Sequence, residues 1–388
     1  MKYVFALIAS FIFTFSFPQA MIDNNFNYLY NSRSDILITM RPVVSKDSIT
    51  VFYFAKTEKG NPTTYLLKWE KRNSYTDSTS TVISYDTLSL VNNKPWIGQW
   101  KFSKPDSAWL LVVEAKIVNS GKRVFFIQLI EPNYPVNGYL KKENEVQFNQ
   151  FVYSNEQYLV NGSKPGKPIF FTYYKEKFQR PLPPFAETGL NVPEFLLPDS
   201  TFTVPGGKII GPLKREGLYL AQEDTLSNMG FSFLVKNFPF PKYNKLAELK
   251  DPLLFVTTQN ENDQIEQSGE NKVKFDKIIL EITEDKELAQ KFIRNYFRRV
   301  EYANNVFSSF KEGWQTDKGM MYIIYGPPDE VKLSEGREIW KYFGSIREEF
   351  YFVKTGSVYY PENYVLIRDT KYKASWYSTV DLWRKSRF

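Results

Sequence analysis

Carboxylates are the main candidates for chemistry in this chain, because it contains neither histidine nor cysteine. Asp317 lies shortly before the adjacent acids Asp329 and Glu330, and paired carboxylates carry out glycoside hydrolysis. The missing histidines exclude His-based triads, imidazole bases and the usual zinc or iron sites. A carboxylate-dependent hydrolase is one hypothesis, although spacing along the chain does not give the distance between these groups.

The segment around these acids also fits a structural corner with no chemistry. Short oxygen-bearing side chains bond to nearby backbone amides, glycines allow unusual backbone angles, and prolines fix the direction of the chain. Trp314 would fill the gap between a helix and a sheet, and Asp329 would cap a short helical turn. No phosphate-loop pattern accompanies them, so no nucleotide is predicted. No other cofactor and no metal is predicted either. The residues assigned to this corner are Gly313, Thr316, Gly319, Gly326, Pro327, Pro328 and Asp329.

A third interpretation makes the same region a recognition surface. The tail from Trp376 onwards is aromatic and basic, and it either packs back on the domain as a last strand or helix or contacts a partner or membrane surface. Aromatic side chains are enriched at protein interfaces. The partner-binding candidates are Trp314, Asp317, Lys318, Tyr322, Trp383 and Phe388.

A long amphipathic helix is predicted before this segment. Apolar residues recur at steps of three and four from Leu288 to Phe310. The segment Thr283-Glu284-Asp285 can cap the start, and Gly313 stands where a left-handed residue would end the helix. A helix followed by short strands is an α+β unit, which we place at residues 281–388. The strands are predicted at 320–325, 338–343, 349–353 and 364–368.

Residues 21–135 have the pattern of a β-sandwich. Ile49, Val51, Tyr53 and Ala55 share one face at period two. A hairpin is predicted from Trp109 to Ile130, and short strands with turn signals between them are typical of two packed sheets. The other strands are predicted at 65–69, 81–90 and 96–102.

Residues 136–280 are predicted to be β-rich with long loops. Proline-rich stretches at 180–185 and 238–241 prevent long ladders of backbone hydrogen bonds. An alternative is that such an exposed Pro-aromatic segment docks on a partner. Strands are predicted at 147–153, 168–174, 230–235 and 252–257, so the predicted fold class is mainly β with a C-terminal α+β domain.

The first twenty residues have the features of an export signal. Lys2 precedes an apolar run from Val4 to Phe17, which is too short to span a bilayer, and Ala20 is the natural last residue before cleavage. Without cysteine the mature chain cannot be a lipoprotein, and no later segment is apolar enough to cross a membrane. The net charge of +7 is dispersed, so nucleic acid is not a predicted partner. We expect a periplasmic location, with outer-membrane association only through partners.

One stretch resembles a known family. Gly313-Trp314-Gln315-Thr316-Asp317, with the helix residues 296–304 before it and residues 338–342 after it, closely resembles the GWxTD domain family of exported bacterial proteins. The resemblance covers roughly residues 285 to 345. Lys318 stands where that family usually has arginine, which would weaken a bidentate contact to a carboxylate. The resemblance implies a fold and a compartment rather than an activity.

Three functions remain open. The leading hypothesis is a non-catalytic exported accessory or scaffold protein that binds a partner in an outer-membrane or secretion and assembly complex. Its basis is the export signal, the missing histidine and cysteine, and an aromatic content of 17%. The alternatives are an envelope glycan-binding protein, whose aromatic faces would stack on sugar rings, and the carboxylate-dependent hydrolase.

Overall fold

A computed structural model describes residues 19–92, 94–162, 166–175, 178–187, 196–344 and 346–387. The predicted export signal at 1–20 lies outside these ranges except for its last two residues, and Phe388 also lies outside them. Within the described ranges, no helix combines the length and the apolar character that a membrane span requires.

Seven antiparallel strands in two sheets form the first part of the fold. The sheets have the orders β1-β2-β5 and β4-β3-β6-β7, and the Tyr53 and Trp69 rings meet between them with their centroids 4.7 Å apart. Ile49, Val51 and Ala55 are fully buried, as their period-two spacing predicts. The sandwich and the hairpin from β6 to β7 are confirmed. The strands are β1 (Leu37–Val44), β2 (Ser48–Lys56), β3 (Thr63–Arg72), β4 (Thr81–Leu90), β5 (Trp96–Ser103), β6 (Trp109–Ile117) and β7 (Arg123–Ile130).

Two further sheets form the middle of the chain, with the orders β10-β16-β15-β12-β13 and β14-β11-β8-β9. The predicted strands at 168–174 and 230–235 are confirmed as β12 and β16, whereas only the end of the strand predicted at 147–153 forms, as β10. The strands are β8 (Tyr139–Lys142), β9 (Glu145–Val146), β10 (Phe151–Tyr153), β11 (Tyr158–Asn161), β12 (Pro168–Tyr174), β13 (Ser200–Pro205), β14 (Ile209–Ile210), β15 (Gly217–Gln222) and β16 (Phe231–Lys236).

The first α-helix begins at Leu246, inside the segment predicted to be β-rich. The strand predicted at 252–257 is wrong, because Asp251–Phe255 forms a 3-10 helix. Pro252 lies in its first turn, where the missing N–H of proline costs nothing. The domain bounds at 135 and 280 remain predictions. The helices are α1 (Leu246–Lys250), α2 (Gln259–Gln267), α3 (Lys272–Thr283) and α4 (Lys286–Phe307).

The long predicted helix is α4, and its start is confirmed. The Asp285 carboxylate accepts hydrogen bonds from the backbone N–H groups of Glu287 (2.8 Å) and Leu288 (2.9 Å). The predicted end at a left-handed Gly313 is wrong, because α4 ends at Phe307 and Gly313 opens a 3-10 turn instead. The buried face has the predicted spacing and includes Phe292, Tyr296, Val300, Ala303 and Phe307.

The C-terminal sheet has the order β17-β18-β19-β20, and the strands predicted at 338–343, 349–353 and 364–368 are confirmed within it. The strand predicted at 320–325 is wrong, because Asp317–Tyr325 is a helix, α5. Residues 21–30 pack on this sheet, where the Phe26 N–H donates to the Val331 carbonyl (2.9 Å). The strands are β17 (Glu330–Ser334), β18 (Arg337–Tyr342), β19 (Glu348–Lys354) and β20 (Tyr364–Leu366), and the last helix is α6 (Lys373–Arg384).

Candidate functional site

The segment from Gly313 to Gly319 forms a tight corner between α4 and α5. The Thr316 hydroxyl accepts a hydrogen bond from the Gly319 N–H (3.0 Å) and donates one to the Gly313 carbonyl (2.7 Å). Thr316 is thus the N-cap of α5. Gly319 is helical rather than left-handed, which corrects the role predicted for it. Close backbone approach is the reason for glycine at both positions.

Trp314 is buried inside this corner. Its side chain is only 2% exposed, its indole N–H donates to the Glu312 carboxylate (2.7 Å), and its backbone N–H donates to the Asn304 side-chain oxygen (3.1 Å). The Phe255 ring lies against it, with centroids 6.1 Å apart. The indole therefore fills the core between α4 and α5, rather than the predicted gap between a helix and a sheet, and it is buried within the chain.

Asp317 lies at the first position of α5 and is held by an ion pair. Its carboxylate accepts from Arg368 Nη2 (2.6 Å), from Arg368 Nη1 (3.3 Å) and from the Leu366 N–H (2.8 Å). Both side chains are less than 10% exposed, and the Arg368 guanidinium also donates to the Leu182 carbonyl (3.1 Å). The carboxylate thus joins α5, β20 and the proline-rich segment.

The proline-rich segment at 180–185 makes further contacts with the C-terminal domain, and docking of a proline-aromatic segment on a partner stays a prediction. Besides the contact at Leu182, the Pro184 carbonyl accepts from the Asp369 N–H (2.9 Å). The Phe185 ring packs on Tyr377, with centroids 5.4 Å apart. The segment is therefore bound by this chain's own C-terminal domain.

Lys318 is enclosed by an acid and three aromatic rings. Its ammonium lies 2.6 Å from the Glu338 carboxylate and 3.8 Å from the centre of the Tyr364 ring, and the Tyr30 and Phe352 rings lie within 6 Å. Glu338 is 3% exposed and also accepts from the Trp340 indole N–H (2.5 Å). Burial and the Glu338 charge raise the pKa of Tyr30 well above its usual range. Lys318 is thus satisfied within the domain.

Tyr322 and Trp383 are also core residues. The Tyr322 ring stacks on the Tyr302 ring, with centroids 4.4 Å apart, and is 6% exposed. Trp383 is 1% exposed, and its indole N–H donates to the Ile324 carbonyl (3.1 Å) beneath the Arg299 guanidinium. The tail therefore packs back as helix α6. The predicted recognition surface does not form from these side chains, because they lie inside the domain.

The turn after α5 leads directly into a strand. Gly326 has the positive φ of 83° that was predicted for it. Asp329 does not cap a helix, because its backbone N–H pairs with the Lys341 carbonyl (3.0 Å) and its carboxylate accepts from the Phe343 N–H (2.7 Å). Pro327 and Pro328 lie between this glycine and the strand. The prolines thus direct the chain from α5 to β17.

The carboxylates of the hydrolase hypothesis are each held by a different partner. Asp317 is bound by Arg368, Asp329 by the Phe343 N–H, and Glu330 lies 3.1 Å from the Lys332 ammonium. Among the described residues, no group of three or more acidic side chains could hold a metal ion. This arrangement supports packing and provides no paired acids that face a common space.

A family model decides the assignment of this region. Residues 217–385 match the model of the GWxTD domain. This part of the chain is a GWxTD domain. The match begins at β15, well before the stretch where the sequence resemblance is clear, so the GWxTD domain includes strands β15 and β16 as well as all six helices and the last sheet.

Comparisons with other known proteins add little. None of the curated proteins compared with the chain matches it. Similar solved structures include a β-glucosidase from Listeria innocua (8% identity, TM-score 0.18, 25% of this chain and 16% of that chain) and one from Kluyveromyces marxianus (10%, 0.18, 25% and 14%). Another is β-glucosidase 3B from Thermotoga neapolitana (8%, 0.16, 25% and 17%). The chain spans less than a fifth of the length of each of these enzymes. At such low TM-scores the likeness supports no assignment of fold or function.

Sequence reasoning missed the residues that hold the GWxTD motif in place. Glu338 and Arg368 neutralise Lys318 and Asp317, and Tyr30 and Tyr364 enclose Lys318. The one available signal was charge, because Glu338 and Arg368 have charges opposite to those of Lys318 and Asp317. No local pattern in the sequence shows which of many charged residues so far apart form pairs.

The buried ammonium of Lys311 provides a test of how burial near the corner between α4 and α5 affects stability. Burial lowers the pKa of its ammonium to about 8, although Asp317 opposes that shift. Because the folded chain binds this proton less tightly than the unfolded chain, Lys311 reduces stability at neutral pH. That loss falls as the pH rises from about 8 towards the usual lysine value of about 10.4. We expect Lys311→Met to be more stable than the natural chain, by a margin that shrinks by about 1–2 kcal/mol between about pH 7.5 and 9.5.

Urea unfolding of both chains across that pH range measures this margin. Lys291→Met on the exposed side of α4 is the matched control for replacing a lysine with methionine. A margin for Lys311→Met that is constant across the range would contradict the lowered pKa. Taking differences between chains also removes the common effect of tyrosine ionisation near pH 10.

Proposed function

We propose that this protein is a non-catalytic exported accessory protein that binds a partner in an outer-membrane or secretion and assembly complex. The observation that carries the proposal is the open edge strand β4 of the sandwich. In this proposal the GWxTD domain is a rigid base, because its motif residues are occupied by contacts within the chain. The sandwich presents the binding edge.

Strand β4 pairs with β3 on one side, and among the described residues no backbone hydrogen bond reaches its other side. Its ten residues contain no lysine, arginine, proline or glycine, and Asp86 is its one charged residue. Natural edge strands are usually protected by such residues or by a covering element. The register with β3 shifts once, between Ser84 and Val82, and the seven residues from 84 to 90 pair without interruption. This regular part of the edge suits an added strand from another protein.

The opposite edge of the same sheet is covered at one residue. The Tyr28 hydroxyl accepts a hydrogen bond from the Phe125 N–H (2.8 Å) and donates one to the Phe125 carbonyl (2.5 Å), so a residue before the sandwich covers β7 at this point. Among the described residues, no such contact reaches the outer edge of β4.

Exposed side chains along β4 suit an extended protein segment. Tyr85 is 71% exposed and Val82 is 41% exposed. Trp96, at the start of β5, is 50% exposed. The Trp96 side chain contacts Tyr53 of β2. Main-chain pairing gives affinity in strand addition, and aromatic anchors such as these give specificity.

The compartment in this proposal rests on the sequence of residues 1–20, whose charge and apolar run have the form of an export signal. We propose that the mature chain works in the periplasm and reaches the outer membrane only through its partner. The two alternative functions have less support at the sites first considered for them. Trp314 and Trp383 are buried and cannot stack on a glycan, and the acids of the hydrolase hypothesis are engaged elsewhere.

The test is site-specific photocrosslinking in the native envelope, with a photoreactive residue in place of Ser84 in the full chain. We expect a crosslink to a single envelope protein that co-purifies in a fixed ratio. Tyr85→Lys should reduce its recovery by about tenfold or more, because a charge on the edge opposes strand addition. Leu226→Lys, at a residue 94% exposed in a loop away from β4, is the matched control and should retain the partner.

Three outcomes would overturn the proposal. The natural chain could be recovered without a partner, the partner could remain after Tyr85→Lys, or the crosslink could join two copies of this chain. Circular dichroism of Tyr85→Lys and Leu226→Lys confirms that both variants fold like the natural chain.

A further inference from the structure

A large cavity lies where the sandwich, the middle sheets and the GWxTD domain meet. Its volume is about 1040 Å³, at the upper end of the range for small-molecule sites. Residues from β1, β7, the loop after β9, the end of α4 and the loop before β20 line it. None of the residues of strand β4 lines it, so the cavity is separate from the edge proposed for the partner.

The charges in the cavity nearly balance, with one basic group in excess. Five basic and four acidic side chains line it. Three of the basic groups are lysines paired with acids inside the cavity, and the Arg41 guanidinium donates to the carbonyls of Gln147 (2.9 Å) and Phe148 (3.1 Å). Arg337 and Glu145, which are exposed, have opposite signs. The three pairs are Lys56–Glu58 (3.0 Å), Lys318–Glu338 (2.6 Å) and Lys354–Glu362 (3.1 Å).

Such pairing disfavours a charged ligand. A phosphate or a nucleotide needs basic groups that are free to bind it, and here the lysines are already neutralised. Displacing a buried carboxylate such as Glu338 would leave it without its cation, which is costly. The charge pattern therefore favours a neutral ligand.

The remaining lining groups are aromatic rings and hydrogen-bonding amides. Seven tyrosines line the cavity, and the rings of Tyr75, Tyr302 and Tyr359 are partly exposed. Within the described part of the chain, the side-chain amides of four other lining residues make no hydrogen bond, so they are free to bind a ligand. These residues are Gln147, Asn149, Gln150 and Asn305.

The amides come from two sides of the cavity. Gln147, Asn149 and Gln150 belong to the loop between β9 and β10, and Asn305 lies in the last turn of α4. Burial raises the pKa of the tyrosines Tyr75 and Tyr134, so their hydroxyls stay protonated and can donate hydrogen bonds. A ligand between these sides would meet donors and acceptors together with flat aromatic faces.

We propose that this cavity binds a neutral oligosaccharide. Sugar hydroxyls both donate and accept hydrogen bonds, which suits carboxamides and tyrosine hydroxyls, and the apolar faces of pyranose rings stack on aromatic side chains. The volume gives room for several sugar rings. A neutral peptide fits the aromatic rings less well, because its carbonyl and amide groups alternate along an extended chain. The hydroxyls of a sugar instead surround a ring.

The test is isothermal titration calorimetry of the mature chain with two neutral probes, chitotetraose and maltotetraose. We expect at least one to bind with a Kd below about 1 mM. The double variant Gln147→Ala and Asn149→Ala should weaken binding about tenfold or more, and so should Asn305→Ala on the other side. Gln267→Ala, on exposed α2 outside the cavity, is the matched control and should change the Kd less than about twofold.

Further measurements fix the ligand class and the site. Binding of a neutral sugar should vary little with salt, because screening acts on charges, whereas a steep dependence would overturn the proposal. Binding of neither sugar at about 5 mM, binding of a neutral tetrapeptide or inorganic phosphate in their place, or unchanged binding in both cavity variants would also overturn it. Tyr85→Lys should bind the sugar normally, which separates this result from a failure of the β4 proposal.

Discussion

Replacing Gly313 with alanine is expected to destabilise the GWxTD domain by about 3–5 kcal/mol. A Cβ at this position would lie 1.8 Å from the Ala303 carbonyl oxygen and 2.7 Å from the Asn304 Cα. Both atoms belong to the backbone of α4, which cannot turn aside as a flexible side chain can. Gly319 repeats the constraint, because its Cβ would lie 1.8 Å from the Gly313 carbonyl oxygen. The corner therefore requires hydrogen at both positions.

Hydrogen exchange measured by mass spectrometry is the suitable assay, because a chain with several cores need not unfold in one step. Peptides from α4 and α5 should lose protection in Gly313→Ala, whereas peptides from β6 in the sandwich should keep theirs. Gly60→Ala is the matched control, since nothing lies within 4 Å of a Cβ there. Its stability should change by no more than about 1 kcal/mol. Full protection of α5 in Gly313→Ala would show that the backbone can move apart at low cost.

Local patterns in the sequence predicted the helices and strands that have one apolar side and one polar side. Helix α4 has one apolar face, and strand β2 alternates at period two, so each could be recognised from its own residues. Helix α5 was mistaken for a strand because every residue from Gly319 to Tyr325 is buried. A helix enclosed on all sides has no polar face and hence no detectable period.

The candidate site was harder to predict because exposure is a property of the tertiary structure. Trp314 and Trp383 have the residue type of an interface anchor, yet both are core residues. Their positions depend on contacts such as those of Trp314 with Phe255 and of Trp383 with Phe292, which come from distant parts of the chain. By contrast, β4 contains no lysine, arginine or proline, and this composition can be read directly from residues 81–90.

The burial of the GWxTD motif separates its structural role from the question of what the protein binds. Gly313, Trp314, Thr316 and Asp317 each make contacts within the chain that explain their residue types. The motif therefore specifies how α4, α5 and β20 are joined, and this requirement is the same for any ligand. In the proposals made above, binding specificity comes from the edge of β4 and from the cavity amides, which belong to other parts of the chain.

Asp317→Asn is expected to cost about 3–5 kcal/mol, because it leaves the buried Arg368 guanidinium without its counter-charge. The side chains of this pair are 8% and 5% exposed, and the Arg368 Nε has no hydrogen-bond partner within the described residues. Arg368→Met should be similarly harmful, since Asp317 then stays buried and unpaired. The double variant should lose less than the sum of the two single variants, which is the expected sign of a direct interaction.

The matched control is Asp381→Asn, which removes another helical aspartate that is paired with a cation. Asp381 and Lys385 are both 54% exposed, so breaking their pair should cost less than about 0.5 kcal/mol. Because Arg368 also binds the Leu182 carbonyl, Asp317→Asn should speed proteolytic cleavage near residues 180–185, and Asp381→Asn should not. Equal losses of stability in Asp317→Asn and Asp381→Asn would mean that the motif aspartate does not act through its buried ion pair. An Asp317→Asn chain with unchanged cleavage would mean that the proline-rich segment is held by Pro184 and Phe185 alone.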